Sequence, residues 1–155
     1  MSSVTNTELS TDMAGLPALV GTKIGPTEWT VITQPEVTQF ADLTNDHNFI
    51  HVDPERAKAT PFGGTIAHGF LTLALLAPVG QQLRVTDAAM VVNYGLDKVR
   101  FPAPLPVGGR WRGVAEIVEV TDVKGGKQAK VITTVEVEGS ERPAVVAECL
   151  IRFYA

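Results

Sequence analysis

The second half of the chain alternates between apolar and polar residues, the pattern of strands that bury one face of a sheet. The alternation is clearest within 127–138, where apolar positions interleave with polar or charged ones: Ala129, Val131, Val135 and Val137 against Lys130, Thr134, Glu136 and Glu138. Turns rich in proline and glycine separate segments of this kind. We therefore predict four strands, at about 87–101, 108–122, 127–138 and 143–154.

Two short helices are predicted in the first half of the chain. Thr33-Gln34-Pro35-Glu36 has the form of a capping box with proline in the first turn, and apolar residues follow it at helical spacing. This predicts a helix from about 34 to 43, preceded by a short strand within 28–32. Asp53-Pro54 begins the second helix, with the aspartate as its cap. No period holds between 45 and 52, so we predict an irregular loop there.

A third helix is predicted from the run 66–77, which is apolar on nearly every side and too long for a typical buried strand. A helix of this composition must be covered on all sides. The simplest assembly is an α+β fold in which a curved antiparallel sheet wraps around one long central helix. Residues 1–20 lack any period and are expected to form a flexible N-terminal tail, which leaves 21–155 as the folded domain.

Length and composition exclude several classes of protein. The 155 residues suffice for one domain, and no apolar run reaches the roughly 18 residues that a membrane span requires. The net charge is -4 and no basic cluster is present, which argues against a nucleic-acid partner. Cys149 is the single cysteine, so no internal disulfide can form; we expect a cytoplasmic protein in which this thiol belongs to the core.

The densest group of titratable side chains lies within 45–53. Asp46 and His51 are five positions apart, so a tight bend can bring the carboxylate and the imidazole to one point. Such a pair can hold and deprotonate a water molecule when the imidazole is neutral near pH 7. The residues alone leave two alternatives open: both groups serve only the structure, or they join Asp53 in a metal site.

A second candidate element is His68-Gly69 at the start of the apolar run. Amides at a helix start lack partners within the helix and favour a developing negative charge, and glycine permits a close approach by a ligand carbonyl. Spacing alone leaves open that Gly69 only allows tight packing of helix on sheet while His68 fills a polar niche.

The two candidate elements also resemble a known sequence motif. The segment 40–54, with its Asp46-x-Asn48-x-x-His51 core and the following Asp53-Pro54, resembles the hydratase motif of the MaoC-like family together with the later His68-Gly69. The similarity runs from about 20 to 154 and includes the proline-rich segment 98–108. The family includes the (R)-specific enoyl-CoA hydratases; the chain resembles most its small single-domain members, the 3-hydroxyacyl-thioester dehydratases, and is also similar to nodulation-protein-N-like members.

The resemblance implies a single hot-dog domain and the reversible hydration of trans-2-enoyl-CoA to the (3R)-3-hydroxyacyl thioester. It implies that Asp46 and His51 are catalytic, that the amide of Gly69 binds the thioester oxygen, and that no metal or organic cofactor takes part. Coenzyme A enters only as part of the substrate, and an acyl carrier protein thioester is the other substrate option. The expected substrate-binding residues are Asn48, Phe49, His68, Phe70 and Tyr94.

Three positions depart from the family pattern: Asn45 stands where glycine is usual, Phe49 where proline is usual, and Ala77 where some hydratases have a pocket serine. Two other functions were weighed. A thioesterase of this fold usually has a carboxylate on the central helix, and 66–80 contains none. A non-catalytic acyl-binding module is the second alternative. Sheets of this type commonly pair at their edges, so we expect a homodimer.

Overall fold

The fold is an antiparallel sheet with short helices packed on it, as the computed structural model of residues 8–155 shows, and the predicted α+β hot-dog class is confirmed. The strands of the main sheet are β2 (Lys23–Ile24), β3 (Thr30–Val31), β5 (Met90–Arg100), β6 (Arg110–Val123), β7 (Gly126–Val137) and β8 (Val145–Tyr154). Their order in the sheet is β2-β6-β7-β8-β5, and β3 also pairs with β6.

The four long strands, β5 to β8, match the four segments predicted from alternation to within three residues at either end. Their inward positions form two apolar clusters, one of which includes Ile117, Val131 and Phe153 and the other Trp111, Val135 and Val145. Alternation succeeded here because strand side chains point to opposite faces in turn. The edge strand β5 is different, since residues on both of its faces are largely exposed.

Helix α1 (Gln34–Thr44) confirms the capping signal. The Thr33 side chain accepts a hydrogen bond from the amide of Glu36, and the Glu36 carboxylate accepts one from the amide of Thr33. Val37 and Ala41 on its inner face are completely buried. The expected strand within 28–32 exists as β3, with only two residues.

The central helix is divided, whereas one continuous helix was expected. It consists of α4 (Gly69–Ala74) and α5 (Ala77–Gly80), and 66–68 precede it in extended conformation. Pro78 explains the division: it lacks the N–H that would bond to the carbonyl of Ala74. We also expected the central helix to be covered on all sides, and within a single chain this expectation was wrong. The face with Val79 packs over Gly113 of β6, whereas Phe70 on another face is 73% exposed.

The N-terminal segment is docked over residues 8–20, where a flexible tail was expected. Strand β1 (Leu9–Thr11) pairs in parallel with β4 (Leu83–Val85), and a 3-10 helix follows at Leu16–Leu19. Leu16 is completely buried against the core. Burial of this one side chain contributes about 1.5–3 kcal/mol, which offsets part of the entropy lost by ordering the segment. The expected tail at 1–7 lies outside the described residues.

Two one-turn helices connect α1 to the central helix. They are α2 (Phe49–Val52) and α3 (Pro54–Ala57). The second confirms the predicted start at Asp53-Pro54, because the Asp53 side chain accepts a hydrogen bond from the amide of Arg56. Between residues 8 and 155, no helix is long and apolar enough to cross a membrane.

Candidate functional site

The site begins where α1 ends, at a residue with a left-handed backbone. Asn45 has φ 56° and ψ 31°, and the amide of Asp46 donates to the carbonyl of Ala41. Glycine adopts this conformation most readily, and asparagine is among the few other residues that tolerate it. This accounts for Asn45 in place of the glycine of the family pattern: the reversal that places Asp46 is retained.

The chain then turns into α2, so the expected irregular loop is found over 45–48, and the expectation was wrong for 49–52, which form a helical turn. Asn48 caps α2, because its side-chain oxygen accepts a hydrogen bond of 3.4 Å from the amide of Ile50. The amide of Asn48 in turn donates to the Asp46 carboxylate, also at 3.4 Å. Phe49 occupies the first position of α2, where the proline of the family pattern is equally compatible with a helix. His51 is the third residue of α2.

His51 is buried and its tautomer is fixed by the backbone. Its Nδ1 lies 2.7 Å from the carbonyl oxygen of Ile66. A carbonyl only accepts, so Nδ1 carries the proton and, in the neutral ring, Nε2 has a free lone pair. Burial lowers the pKa of His51 below its usual 6.5, and the charge of His68 lowers it further; the Ile66 hydrogen bond and the Asp46 carboxylate act in the opposite direction. At neutral pH the imidazole is therefore a competent base.

Asp46 and His51 converge, together with His68. Each of the three offers one donor atom, and these atoms lie within 4.8 Å of one another. The two imidazoles are buried while the Asp46 carboxylate is on an exposed residue. Water can therefore approach the carboxylate and meet a neutral imidazole.

The same three residues are poorly arranged as ligands of one metal ion. The rings of His51 and His68 are stacked, with centroids 3.8 Å apart and planes inclined by 24°. A ring nitrogen binds a metal in the plane of its ring, so stacked rings direct their lone pairs side by side and not to one ion. Asp53, the third ligand considered from the sequence, caps α3 instead. This arrangement fits acid–base chemistry better than a preformed metal site.

Gly69 opens helix α4, directly after His68. As the first helical residue it has an amide without a partner inside the helix, which leaves that N–H available to a ligand oxygen. A side chain added at Gly69 would meet the ring of Phe101 at 3.5 Å. Phe101 therefore flanks this amide, a position that the sequence did not indicate because the two residues are 32 positions apart.

An apolar groove of about 930 Å³ is lined in part by Phe70, the residue after Gly69. It runs between the central helix and strands β5 and β8. Phe70 and Tyr94, both expected to bind substrate, line this groove. Asp46 and His51 are not among its lining residues. Phe49, also expected to bind substrate, instead packs against Arg56, whose guanidinium carbon lies 3.9 Å from the centre of the ring. The remaining lining includes Leu73, Ala77, Gly80, Leu96 and Cys149.

Cys149 lies at the wall of this groove and is partly buried. Burial raises the pKa of its thiol above 9.0, so the thiol stays protonated at neutral pH. A protonated thiol is a poor nucleophile. The chemistry of Cys149 is therefore that of an apolar wall residue, as expected from the sequence.

A second group of residues fixes the backbone under His51. The Gln34 side chain donates to the carbonyl of His51 at 2.7 Å and accepts from the hydroxyl of buried Thr65 at 2.7 Å. Gln34 thus joins the start of α1, α2 and the segment before α4. The sequence gave no signal for this contact, because the first position of a helix accepts many residue types.

Comparisons with known proteins identify the family of the chain. Residues 16–140 match the family model described as MaoC like domain. The chain is 56% identical over 145 residues to 3-hydroxyacyl-thioester dehydratase Z of Mycobacterium tuberculosis, covering 92% of this chain and 96% of that protein. It is 43% identical over 140 residues to nodulation protein N of Rhizobium leguminosarum bv. viciae, covering 87% and 86%.

Among solved structures, the (R)-hydratase of Aeromonas caviae involved in PHA biosynthesis superposes with a TM-score of 0.71. Its sequence is 28% identical, and the superposition covers 85% of this chain and 94% of that one. The likeness extends over nearly the whole domain and is not confined to the motif at 45–54.

Proposed function

The chain belongs to the MaoC-like domain family, and from this premise we propose that it is a hydro-lyase acting on acyl thioesters. The reaction is the reversible addition of water to a trans-2-enoyl thioester, which gives the (3R)-3-hydroxyacyl thioester. The observation that carries this proposal is the approach of the Asp46 carboxylate to a buried imidazole with a bare Nε2. Two relatives support the substrate class, since their names are 3-hydroxyacyl-thioester dehydratase Z and (R)-specific enoyl-CoA hydratase.

The first chemical step is the activation of water. The Asp46 carboxylate and His51 Nε2 hold one water molecule, and the dyad accepts a proton from it as its oxygen bonds to C3 of the enoyl group. The neutral state of His51, favoured by its burial, is required for this step. The Nδ1 hydrogen bond to Ile66 keeps the lone pair on the reacting nitrogen.

The second requirement is stabilisation of the charge that leaves the double bond. As the C3–O bond forms, the π electrons move towards the thioester oxygen and create an enolate. The amide of Gly69 donates to this oxygen; a preorganised donor of this kind is worth roughly 10²–10³ in rate. The dyad then returns a proton to C2 on the same face, which completes the addition without a metal or organic cofactor.

The apolar groove lined by Phe70 is the proposed site of the acyl chain. Its wall is mostly aliphatic or aromatic, and it includes the residue that follows Gly69. A thioester carbonyl on the Gly69 amide would therefore have its hydrocarbon tail beside this groove. The thiol moiety is coenzyme A or an acyl carrier protein, with coenzyme A as the primary expectation.

We further propose a homodimer formed along β5. This strand is at the edge of the sheet and exposes Met90, Val91, Tyr94 and Leu96. A long apolar edge strand offers unpaired backbone groups to another chain, and pairing with a second copy would cover it. The exposed Phe70 would be covered in the same assembly if the groove lies beside the interface.

Incubation of the purified protein with crotonyl-CoA tests the proposed reaction. We expect the enoyl absorbance to fall, the product to be (3R)-3-hydroxybutyryl-CoA by chiral analysis, and the rate to be unchanged after chelation. Thiol release, followed in the same sample, should stay at background. Release of free coenzyme A without loss of enoyl absorbance would identify a thioesterase instead, and tight binding without turnover would identify an acyl-binding module.

A further inference from the structure

We propose that His68 is a positioning residue that holds the two catalytic groups in register, through a hydrogen bond to the backbone of Asp46 and a ring stack on His51. This inference rests on the proposed hydration. It differs from the role expected from the sequence, in which His68 binds substrate. The residue joins the start of the central helix to the turn between α1 and α2.

The hydrogen bond fixes the main chain that carries Asp46. His68 Nε2 lies 3.0 Å from the carbonyl oxygen of Asp46. Because that oxygen only accepts, Nε2 must carry the donated proton. Asp46 is exposed, and the Asn48 amide is the one partner its carboxylate has among the contacts of residues 8–155. The direction of the carboxylate therefore depends on how firmly its own backbone is held.

The ring stack fixes the other catalytic group. The ring of His68 contacts those of Phe40 and His51, with centroids 5.0 Å and 3.8 Å away. His68 is 3% exposed, so these contacts are made inside the protein. His51 is thus held on one side by its Ile66 hydrogen bond and on its face by His68, and its Nε2 has little freedom to turn away from the water.

The unpaired Nδ1 of His68 helps to distinguish a positioning role from simple packing. Within residues 8–155, His68 Nδ1 is buried and has no hydrogen-bond partner, which is unfavourable for a polar atom. A phenyl ring would fill the same stack without that cost. What the imidazole adds over a phenyl ring is the Nε2–H bond to Asp46, and the position of Asp46 is what this bond determines.

Replacing His68 by phenylalanine or by glutamine separates the effect of the ring stack from that of the hydrogen bond to Asp46. His68→Phe keeps a ring in the stack and removes the donor to Asp46, so we expect kcat to fall by about 10-fold to 100-fold, as misplaced catalytic groups do, with KM changed less than about 3-fold. His68→Gln keeps an N–H donor, so its kcat should recover part of that loss. The matched control is His47→Phe on the exposed neighbour of Asp46, whose kcat should equal that of the wild type.

A measurement that does not depend on turnover complements the kinetics. Titration of the imidazole ¹⁵N signals gives the pKa of His51, on which His68 and Asp46 are the charged groups that act. We expect this pKa to be higher in His68→Phe than in the wild type, because the electrostatic effect of His68 lowers it in the wild type. Thermal unfolding of each variant shows whether the fold is kept.

The outcomes separate the two proposals. A folded His68→Phe variant with wild-type kcat and an unchanged His51 pKa would overturn the positioning role, whatever the reaction. If the wild-type protein does not hydrate enoyl thioesters, the proposed function fails, and the His51 titration still decides whether His68 controls its neighbour. A loss of kcat in His68→Phe that His68→Gln partly restores supports both proposals.

Discussion

His51 and His68 stack face to face with ring centroids 3.8 Å apart, and each donates one N–H to a backbone carbonyl. The acceptors are Ile66 for His51 and Asp46 for His68. These bonds assign the proton to Nδ1 in one ring and to Nε2 in the other. A pair of imidazoles with fixed tautomers gives the site one defined base, His51 Nε2, beside one carboxylate.

Substitution of either member of the dyad should abolish hydration while the fold remains. For Asp46→Asn and His51→Ala we expect crotonyl-CoA hydration to fall by roughly 10²–10⁴-fold, the range for loss of a general base. The enoyl absorbance assay measures this, with circular dichroism to verify folding. His47→Ala, between the two residues, is the control and should be fully active. Near-wild-type activity in either dyad variant would contradict the mechanism.

The rate should fall at acid pH along one limb set by His51. Its pKa is lowered in the folded protein, mainly by burial, so the neutral base persists below pH 6.5 and is lost only as the pH falls through the lowered value. The same sign applies to stability: folding favours the neutral ring, so this contribution is present above the unfolded pKa and is lost in acid. A kcat/KM profile with its acid midpoint above 6.5 would contradict the assignment of His51 as the base.

Gln34 should prove important although it is distant from the reacting atoms in sequence. In Gln34→Leu the buried Thr65 hydroxyl and the His51 carbonyl lose their partner, and an unsatisfied buried group costs about 1–3 kcal/mol of folding free energy. We expect lower stability in denaturant titration and lower kcat. Gln39→Leu, on an exposed position of the same helix, is the matched control and should change neither. Equal stability of the two variants would show that the contact contributes nothing.

The depth of the groove should limit the length of the acyl chain. Ala77 lines the groove, and Ala77→Leu adds three carbon atoms to its wall. We expect kcat/KM for long-chain enoyl-CoA to fall by more than about 10-fold while crotonyl-CoA is little affected, since overpacking costs about 1–3 kcal/mol. A chain-length series measures the difference, and Ala18→Leu, at an exposed position of the 3-10 helix, is the control. A uniform effect on all chain lengths would place the acyl chain elsewhere.

The proposed dimer should dissociate when its edge strand is made charged. Val91 in β5 is 58% exposed, and lysine on an edge strand opposes pairing with a second chain. We expect Val91→Lys to shift the molar mass in light scattering from two chains to one. Leu43→Lys, at an 84% exposed position on α1, is the control and should leave the mass unchanged. If the wild-type protein is a monomer, the proposed homodimer along β5 is wrong.

Several elements could be predicted because they depend on neighbours in sequence. Alternation located β5 to β8, the capping box located α1, and Asp53-Pro54 located α3. Asp46 and His51 were identified for the same reason, since a short turn joins them. The errors have equally specific causes. Pro78 interrupts the apolar run, and Asn48 caps a helical turn too short to show a period.

The docked N-terminal segment shows a different limit. Leu16 lies in a stretch of mixed composition, and its burial results from packing in one cluster with Val79 and Ile117, which belong to distant elements. No local sequence pattern indicates such packing. The same holds for Phe101, which reaches Gly69 only through the fold.

The sequence by itself determined the period of the strands, the ends of α1 and the nearness of Asp46 to His51. These are properties of chain geometry over a few residues. The tertiary structure alone decided which nitrogen of each histidine carries its proton, which face of the central helix is left exposed, and how Gln34 supports His51. The reason is physical: the partners Ile66 and Asp46 are 15 and 22 positions away from the imidazoles they orient, and only packing brings them within hydrogen-bonding distance.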